Sequence, residues 1–292
     1  MGQANIVILG STGFIGAALL DHLRQTTSMP VSGYGSVQFD LTSRECADKL
    51  CAVVNARTVL VLTARARAVN DPLDAFVGDV AIATNVARCL GRAGARHCLY
   101  FSTTSVYGDH QTDLAMTEET PVAPTSLYGA AKSAGEAVLR HAAGKAGIPL
   151  AILRPCMVYG PGDTSVAYGP ARFLRSILTE GCVKIFGDGS EGRDYLFIRD
   201  LAVITRRFIE QQVEGTYNVV TGRSVTFLEL IDHFRAIVPE KFRVVEVERD
   251  RPKADQRFEC AKLLRALGEF RFTDMEQGLR DTYRHFVASV AR

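Results

Sequence analysis

Apolar positions along this chain follow two rhythms. Short continuous runs rich in β-branched or large apolar residues occur at NIVIL (5–9), TVLVLTARA (58–66) and at the start of HCLYFSTTSVYG (97–108). Runs of this kind predict parallel strands covered on both faces. Between them the spacing turns helical: AALLDHLRQ (17–25), DVAIATNVARCLGRAG (79–94), closed by a glycine, and PTSLYGAAKSAGEAVLRHAAGKAG (124–147). Later, YNVVTG (217–222) predicts one more strand and SVTFLELIDHFRAIV (224–238) one more helix, while VSGYG (31–35) reads as the second strand of the chain. Strands alternating with helices predict an α/β fold, a Rossmann-type doubly wound parallel sheet of about six or seven strands.

Composition narrows the class. The 292 residues suffice for one large domain or two modest ones, with 47% hydrophobic and 23% charged residues, as in a soluble globular protein. A formal net charge of +2 argues against a broad nucleic-acid surface. No apolar run reaches the roughly 18 residues that span a bilayer, and MGQANIVILG lacks the basic region of a signal peptide. The seven cysteines show no C-x-x-C spacing and read as reduced thiols of a cytoplasmic protein. None of the six histidines sits in a metal-ligand pattern, so no metal is expected.

The first strand runs straight into Gly10-Ser-Thr12-Gly13-Phe14-Ile15-Gly16 and then a helix. Strand, glycine turn and helix form the setting of a dinucleotide cradle. Gly10 suits the tight turn, Gly13 the approach of a pyrophosphate to backbone amides, and Gly16 close helix–strand packing; the helix N-terminus attracts the anion. The second strand ends without the acidic residue that would grip a ribose and without an arginine for a 2′-phosphate, so NAD and NADP both remain open. Asp40, followed by Leu41, fits two roles: acceptor for an adenine amino group, or cap of a helix starting near Thr42. Small residues after the third run, Ala64 among them, suit backbone passing close to a ligand.

The fourth strand ends in Ser102, Thr103 and Thr104, where ligands of doubly wound sheets sit. On the following helix Tyr128 and Lys132 lie four apart, hence on one face. A tyrosine near pKa 10 is a weak base at neutral pH, and a neighbouring ammonium is expected to lower that value. With a hydroxyl orienting a substrate oxygen, this set can move a proton while a nicotinamide moves a hydride.

GSTGFIG (10–16), FSTTSVYG (101–108), YGAAK (128–132), LRPCMVYGPGD (153–163) and FGDGSEGRDYLFIRDL (186–201), in this order, resemble the extended short-chain dehydrogenase/reductase superfamily, in particular the NAD-dependent epimerase/dehydratase family acting on nucleotide sugars. The resemblance implies Thr103 as the catalytic hydroxyl with Thr104 beside it, Tyr128 as acid/base and Lys132 as its partner. It implies cofactor contacts along Gly10–Gly16, at Asp40, Leu41 and Ala64, and at Pro155 and Val158. It further implies Arg193 and Arg251 on the substrate diphosphate, through guanidinium forks suited to phosphate oxygens. Two positions depart from the pattern: Met157 and Asp79 stand where asparagine is common. The resemblance also implies a homodimer.

Thr104 and Ser105 occupy the places where dehydrating relatives carry an acidic pair, and neither can serve the elimination of water. Hydride chemistry at a secondary alcohol or ketone remains: an epimerase acting at C4 of a nucleotide sugar, or an NADPH-dependent reductase of a 4-keto-6-deoxy sugar. A module that binds nucleotide without turnover is the alternative from another class; an intact Thr103–Tyr128–Lys132 set counts against it. The expected organisation is a dinucleotide-binding domain from 1–163 plus about 191–221, and a sugar-nucleotide lobe from about 164–190 plus 222–292.

Overall fold

The computed structural model describes residues 3–66, 71–110, 115–164, 169–249 and 253–290. The first half contains β1 (Asn5–Leu9), α1 (Phe14–Thr26), β2 (Val31–Tyr34), α2 (Cys46–Cys51), β3 (Thr58–Leu62), α3 (Pro72–Ala93), β4 (His97–Phe101), α4 (Leu127–Ala146) and β5 (Leu150–Pro155). Then follow β6 (Met157–Tyr159), α5 (Pro170–Glu180), β7 (Cys182–Phe186), β8 (Gly192–Phe197), α6 (Ile198–Gln211) and β9 (Gly215–Val219). The chain continues with β10 (Ser224–Thr226), α7 (Phe227–Ile237), β11 (Arg243–Val247), α8 (Ala261–Leu267) and α9 (Met275–Val290).

Six strands form one parallel sheet in the order β2-β1-β3-β4-β5-β9. Successive side chains on each strand point to opposite faces, and both faces are covered. Ile6, Ile8, Val59, Val61, Leu99 and Phe101 join a core with Leu19 and Leu23 of α1 and Leu201 and Phe208 of α6. Their neighbours Val7, Leu9, Leu60, Leu62, Cys98 and Tyr100 join a second core with Leu50, Ile82, Val86 and Leu139 from α2, α3 and α4. That is why the strands read as unbroken apolar runs.

The elements expected from sequence recur with shifted ends. α3 begins at Pro72, well before Asp79, because Asp71 caps it (its carboxylate accepts from the Leu73 amide at 2.8 Å) and proline suits the first helical position. α4 is capped by Ser126, whose hydroxyl accepts from the Gly129 amide at 3.1 Å, and ends at Gly147 in a left-handed conformation. No helix starts near Thr42; the first helical residue is Cys46. Asp40 closes a turn there instead, accepting from the Thr42 amide at 3.1 Å and hydroxyl at 2.6 Å.

The remaining strands form two small sheets, β10-β8-β6 and β11-β7. The first starts where β5 leaves the main sheet, so Met157 and Val158 pair with Tyr195 and Leu196. No helix among the described residues is long and apolar enough to cross a membrane.

Candidate active site

β1 leads outward to β2 on one side, and the chain then returns to β3 on the other. The topological switch point therefore lies between β1 and β3, where open α/β sheets bind ligands. A cavity of about 470 Å³ opens there, beyond the strand ends. Of the residues predicted from sequence, Gly10, Thr12, Gly13, Asp40, Leu41 and Ala64 line it. Gly35, Ser36 and Arg65 line it too and were not anticipated.

The glycines are there for space. Gly10 has φ +89°, and a Cβ on it would lie 2.5 Å from the Cα and N of Ala64. A Cβ on Gly16 would lie 2.2 Å from the Gly10 carbonyl oxygen. β1, β3 and α1 thus meet backbone to backbone. Gly13 is the N-cap of α1; no side chain caps that end, and the first turn carries no acidic residue. Phe14 and Ile15 open the helix, half-buried against the core. The open amide end faces an anion well.

The catalytic candidates stand at the carboxyl ends of β4 and β5 and on α4. Thr103 follows β4; its hydroxyl accepts from the Ser105 amide at 3.1 Å and acts on the nearby phenol of Tyr128. Thr104 opens a buried 3-10 turn spanning Thr104–Tyr107. Tyr128 is half-buried. Lys132 is buried; its ammonium donates to the Phe101 carbonyl at 2.8 Å and lies 5.1 Å from the centre of the Tyr100 ring. Pro155 ends β5 in the core, and Val158 is half-buried on β6.

The electrostatics differ from expectation in one respect. Burial pushes the Tyr128 phenol above its ordinary value, while Arg65 and the Thr103 hydroxyl pull it down and Asp79 pushes it up. The ammonium of Lys132, drawn to a backbone carbonyl, is not the group that counteracts burial; desolvation pulls Lys132 itself down to about 8. Arg65 lies over the Tyr128 ring, 4.3 Å from its centre, and its Nε is 3.6 Å from a carboxylate oxygen of Asp79. The sequence signal for Arg65 was its place as the first charged residue past a buried strand.

Arg193 lies on β8, buried beside Glu191 with which it pairs; it donates to the Gly192 carbonyl at 2.9 Å and to the Ala254 carbonyl, and stands 5.8 Å from the Phe227 ring centre. Asp194, next to it, accepts from the Thr221 and Gly222 amides. Arg251 lies outside the described residues. Among the described residues no group of three or more His, Cys, Asp or Glu is placed to hold a metal ion.

A sequence profile of the NAD dependent epimerase/dehydratase family matches residues 6–220. The chain belongs to that family, whose members are enzymes. Over its whole length it is 27% identical to a dTDP-glucose 4,6-dehydratase of Neisseria gonorrhoeae, covering 98% of that protein. It is 31% identical to a UDP-glucose 4-epimerase of Mycolicibacterium smegmatis over 67% of this chain and 70% of that one. Its fold matches the crystal structure of a UDP-glucose 4-epimerase from Thermotoga maritima, with a TM-score of 0.87 at 23% identity, over 98% of this chain and 99% of the other. Other solved neighbours hold NAD or NADPH.

Proposed function

We propose that this enzyme is an NAD(P)-dependent nucleotide-sugar epimerase acting by reversible hydride transfer at C4 of the sugar. One observation carries the reading: Thr103, Tyr128 and Lys132 converge at the strand ends, and positions 104 and 105 beside them hold no carboxylate. Elimination of water needs an acid and a base at the departing group, and threonine and serine supply neither.

The cradle fits a dinucleotide. Gly10 and Gly16 let β1, β3 and α1 meet backbone to backbone, and the amide end of α1 carries no capping side chain and is open to a pyrophosphate. A nicotinamide bound there supplies a reversible acceptor for the hydride of the sugar carbinol. The protein's own groups handle the proton. Thr103 holds the sugar oxygen, and Tyr128 takes its proton as the carbon–hydrogen bond breaks. The proton returns to that oxygen when the hydride comes back to the opposite face of the carbon. Lys132, held at the end of β4 by the Phe101 carbonyl, keeps a positive charge one helical turn from Tyr128 at neutral pH.

The outer face of α3 and α4 is proposed to pair with a second copy of the chain. It carries a groove of about 670 Å³ lined by small and apolar residues such as Ala87, Gly91, Ala137 and Val138.

A reductase is the second reading, favoured by the end of β2, where Tyr34, Gly35 and Ser36 present no acid to reject a 2′-phosphate. A panel of nucleotide sugars tests both. Isomerisation without added cofactor, lost by about 10²–10⁴-fold in Tyr128→Phe, is the expected result. Stoichiometric NADPH oxidation by a 4-keto sugar would replace it by the reductase. Formation of a 4-keto-6-deoxy product from a nucleotide glucose would overturn both.

A further inference from the structure

Arg65 lines the edge of the cradle cavity, but its closest partners lie in the catalytic set and not in the cradle. It projects from the end of β3, between Ala64 and Ala66, with a side chain 54% exposed. Its guanidinium stands 4.3 Å from the centre of the Tyr128 ring, and its Nε is 3.6 Å from Asp79 of α3, whose side chain is 6% exposed. Asp79 is held in turn by the Ala66 amide, which donates to it at 2.6 Å. An ion pair with one exposed partner adds little to stability, so folding alone gives no reason for this arrangement. A planar guanidinium over an aromatic ring, by contrast, both restrains the ring and places positive charge beside it.

We infer that Arg65 is a positioning residue of the reaction: anchored by Asp79, it holds the Tyr128 ring in place and stabilises the phenolate form. The inference rests on the proposed acid/base role of Tyr128. The titratable or charged groups acting on the phenol are Arg65 from the end of β3, Asp79 from α3 and Tyr100 from β4, with Lys132 one turn along α4. Lys132 is turned towards the Phe101 carbonyl. Arg65 acts to lower the phenol and Asp79 to raise it, so the two partners of one ion pair have opposite effects on the same proton.

That opposition makes the test. The phenol of Tyr128 is titrated by ultraviolet difference absorbance, each variant being compared with the same variant carrying Tyr128→Phe. Arg65→Gln is expected to move the titration to higher pH, and Asp79→Asn, which keeps an acceptor for the Ala66 amide, to lower pH. Arg65→Lys restores the charge without the planar stack and is expected to fall between wild type and Arg65→Gln. In turnover, Arg65→Gln is expected to lower kcat about tenfold at neutral pH with KM changed less than about twofold. The inference is overturned if Arg65→Gln leaves the phenol titration unmoved, or if Arg65→Gln and Asp79→Asn move it in the same direction. It is also overturned if Arg65→Gln raises only the KM for the cofactor, which would make Arg65 a cofactor contact. Circular dichroism checks that each variant is folded. Should no nucleotide sugar be turned over, the proposed function fails, and the titration still decides the place of Arg65.

Discussion

Arg154 on β5 grips both carboxylate oxygens of Glu136 on α4, at 2.9 Å through Nε and 2.7 Å through Nη2. Both side chains are buried. The pair is the hub of a network: Ser102 donates to Glu136 at 2.5 Å, Arg154 donates to the Tyr107 hydroxyl at 2.9 Å, and Tyr107 donates to Asn218 of β9 at 2.6 Å. Tyr128, Lys132 and Glu136 recur every four residues, hence along one face of α4. Glu136 therefore locks α4 against the end of β4 one turn below Lys132, and with it the placement of Tyr128 relative to Thr103.

Removing one partner of this pair should cost far more than its contact suggests. In Arg154→Met the Glu136 charge stays buried without its main counterion, and the expected loss is about 3–5 kcal/mol. The double variant Glu136→Leu with Arg154→Met should lose less than the single one, because no lone charge remains. Denaturant unfolding of the two singles and the double gives the comparison. A loss under about 1 kcal/mol in Arg154→Met would mean that the pair behaves like a surface salt bridge.

The cradle yields a second expectation. A methyl on Gly16 would stand 2.2 Å from one backbone oxygen and 2.8 Å from the carbonyl carbon of Gly10, so the turn between β1 and α1 must open. Gly16→Ala should lose about 1–3 kcal/mol of stability and weaken NAD(P) binding by at least about tenfold. Gly144→Ala is the control: that glycine lies in α4 with nothing within 4 Å of an added Cβ. It should gain about 0.5–1 kcal/mol and bind cofactor normally. Calorimetric titration with NAD and NADP, beside thermal unfolding, reads both effects.

Lys132 supplies the pH dependence. Burial takes it from an ordinary 10.5 down to about 8 in the folded chain. Between these values the unfolded chain binds a proton that the folded chain has released, so stability rises with pH across about 8 to 10.5 and is flat on either side. Relative to Lys132→Met, the wild type should therefore gain stability as pH is raised through this window. Turnover should move the other way, falling above about 8 as the ammonium loses its charge. Unfolding free energies of the two proteins at matched pH values, with kcat for the wild type, test both signs. Equal slopes for wild type and Lys132→Met would remove Lys132 as the source.

Much of this architecture could be read from the chain because its physical causes are local. Where β1 meets α1 backbone to backbone, only glycine fits, so Gly10 and Gly16 mark the turn in the sequence. Buried strands with both faces covered leave unbroken apolar runs such as Thr58–Leu62. The start of α3 was legible in Asp71-Pro72, yet apolar spacing pointed to a later residue, because the first turns of that helix, with Leu73 and Val77, face solvent. The small sheet β10-β8-β6 left no such trace: β6 and β10 have only three residues each, and β8 opens on Gly192, Arg193 and Asp194 and so makes no apolar run. The electrostatics of the site were the least legible part. The acceptor that draws Lys132 away is a backbone carbonyl, which every residue has, and Arg65 looks like any solvated arginine until the fold brings Asp79 and Tyr128 beside it.

The last expectation concerns assembly. α3 and α4 pack against each other along their length and bury one side of each on the sheet, through Ile82, Val86 and Leu139. Their outer sides leave a groove in which Ala87, Gly91, Ala137 and Ala142 present little bulk and little charge, with Arg88, His141 and Lys145 at its walls. Small side chains let a second pair of helices approach closely, and a two-fold axis through the groove would bury the same patch on both copies. Ala137 is exposed within one chain, so Ala137→Glu should leave the fold and the cofactor affinity intact. Across a two-fold interface the same change would bury a carboxylate without a partner and split the dimer. Sedimentation velocity of wild type and variant at equal concentration decides the matter. A wild type that sediments as a monomer, or a variant that sediments as the wild-type dimer does, would exclude this face as the contact.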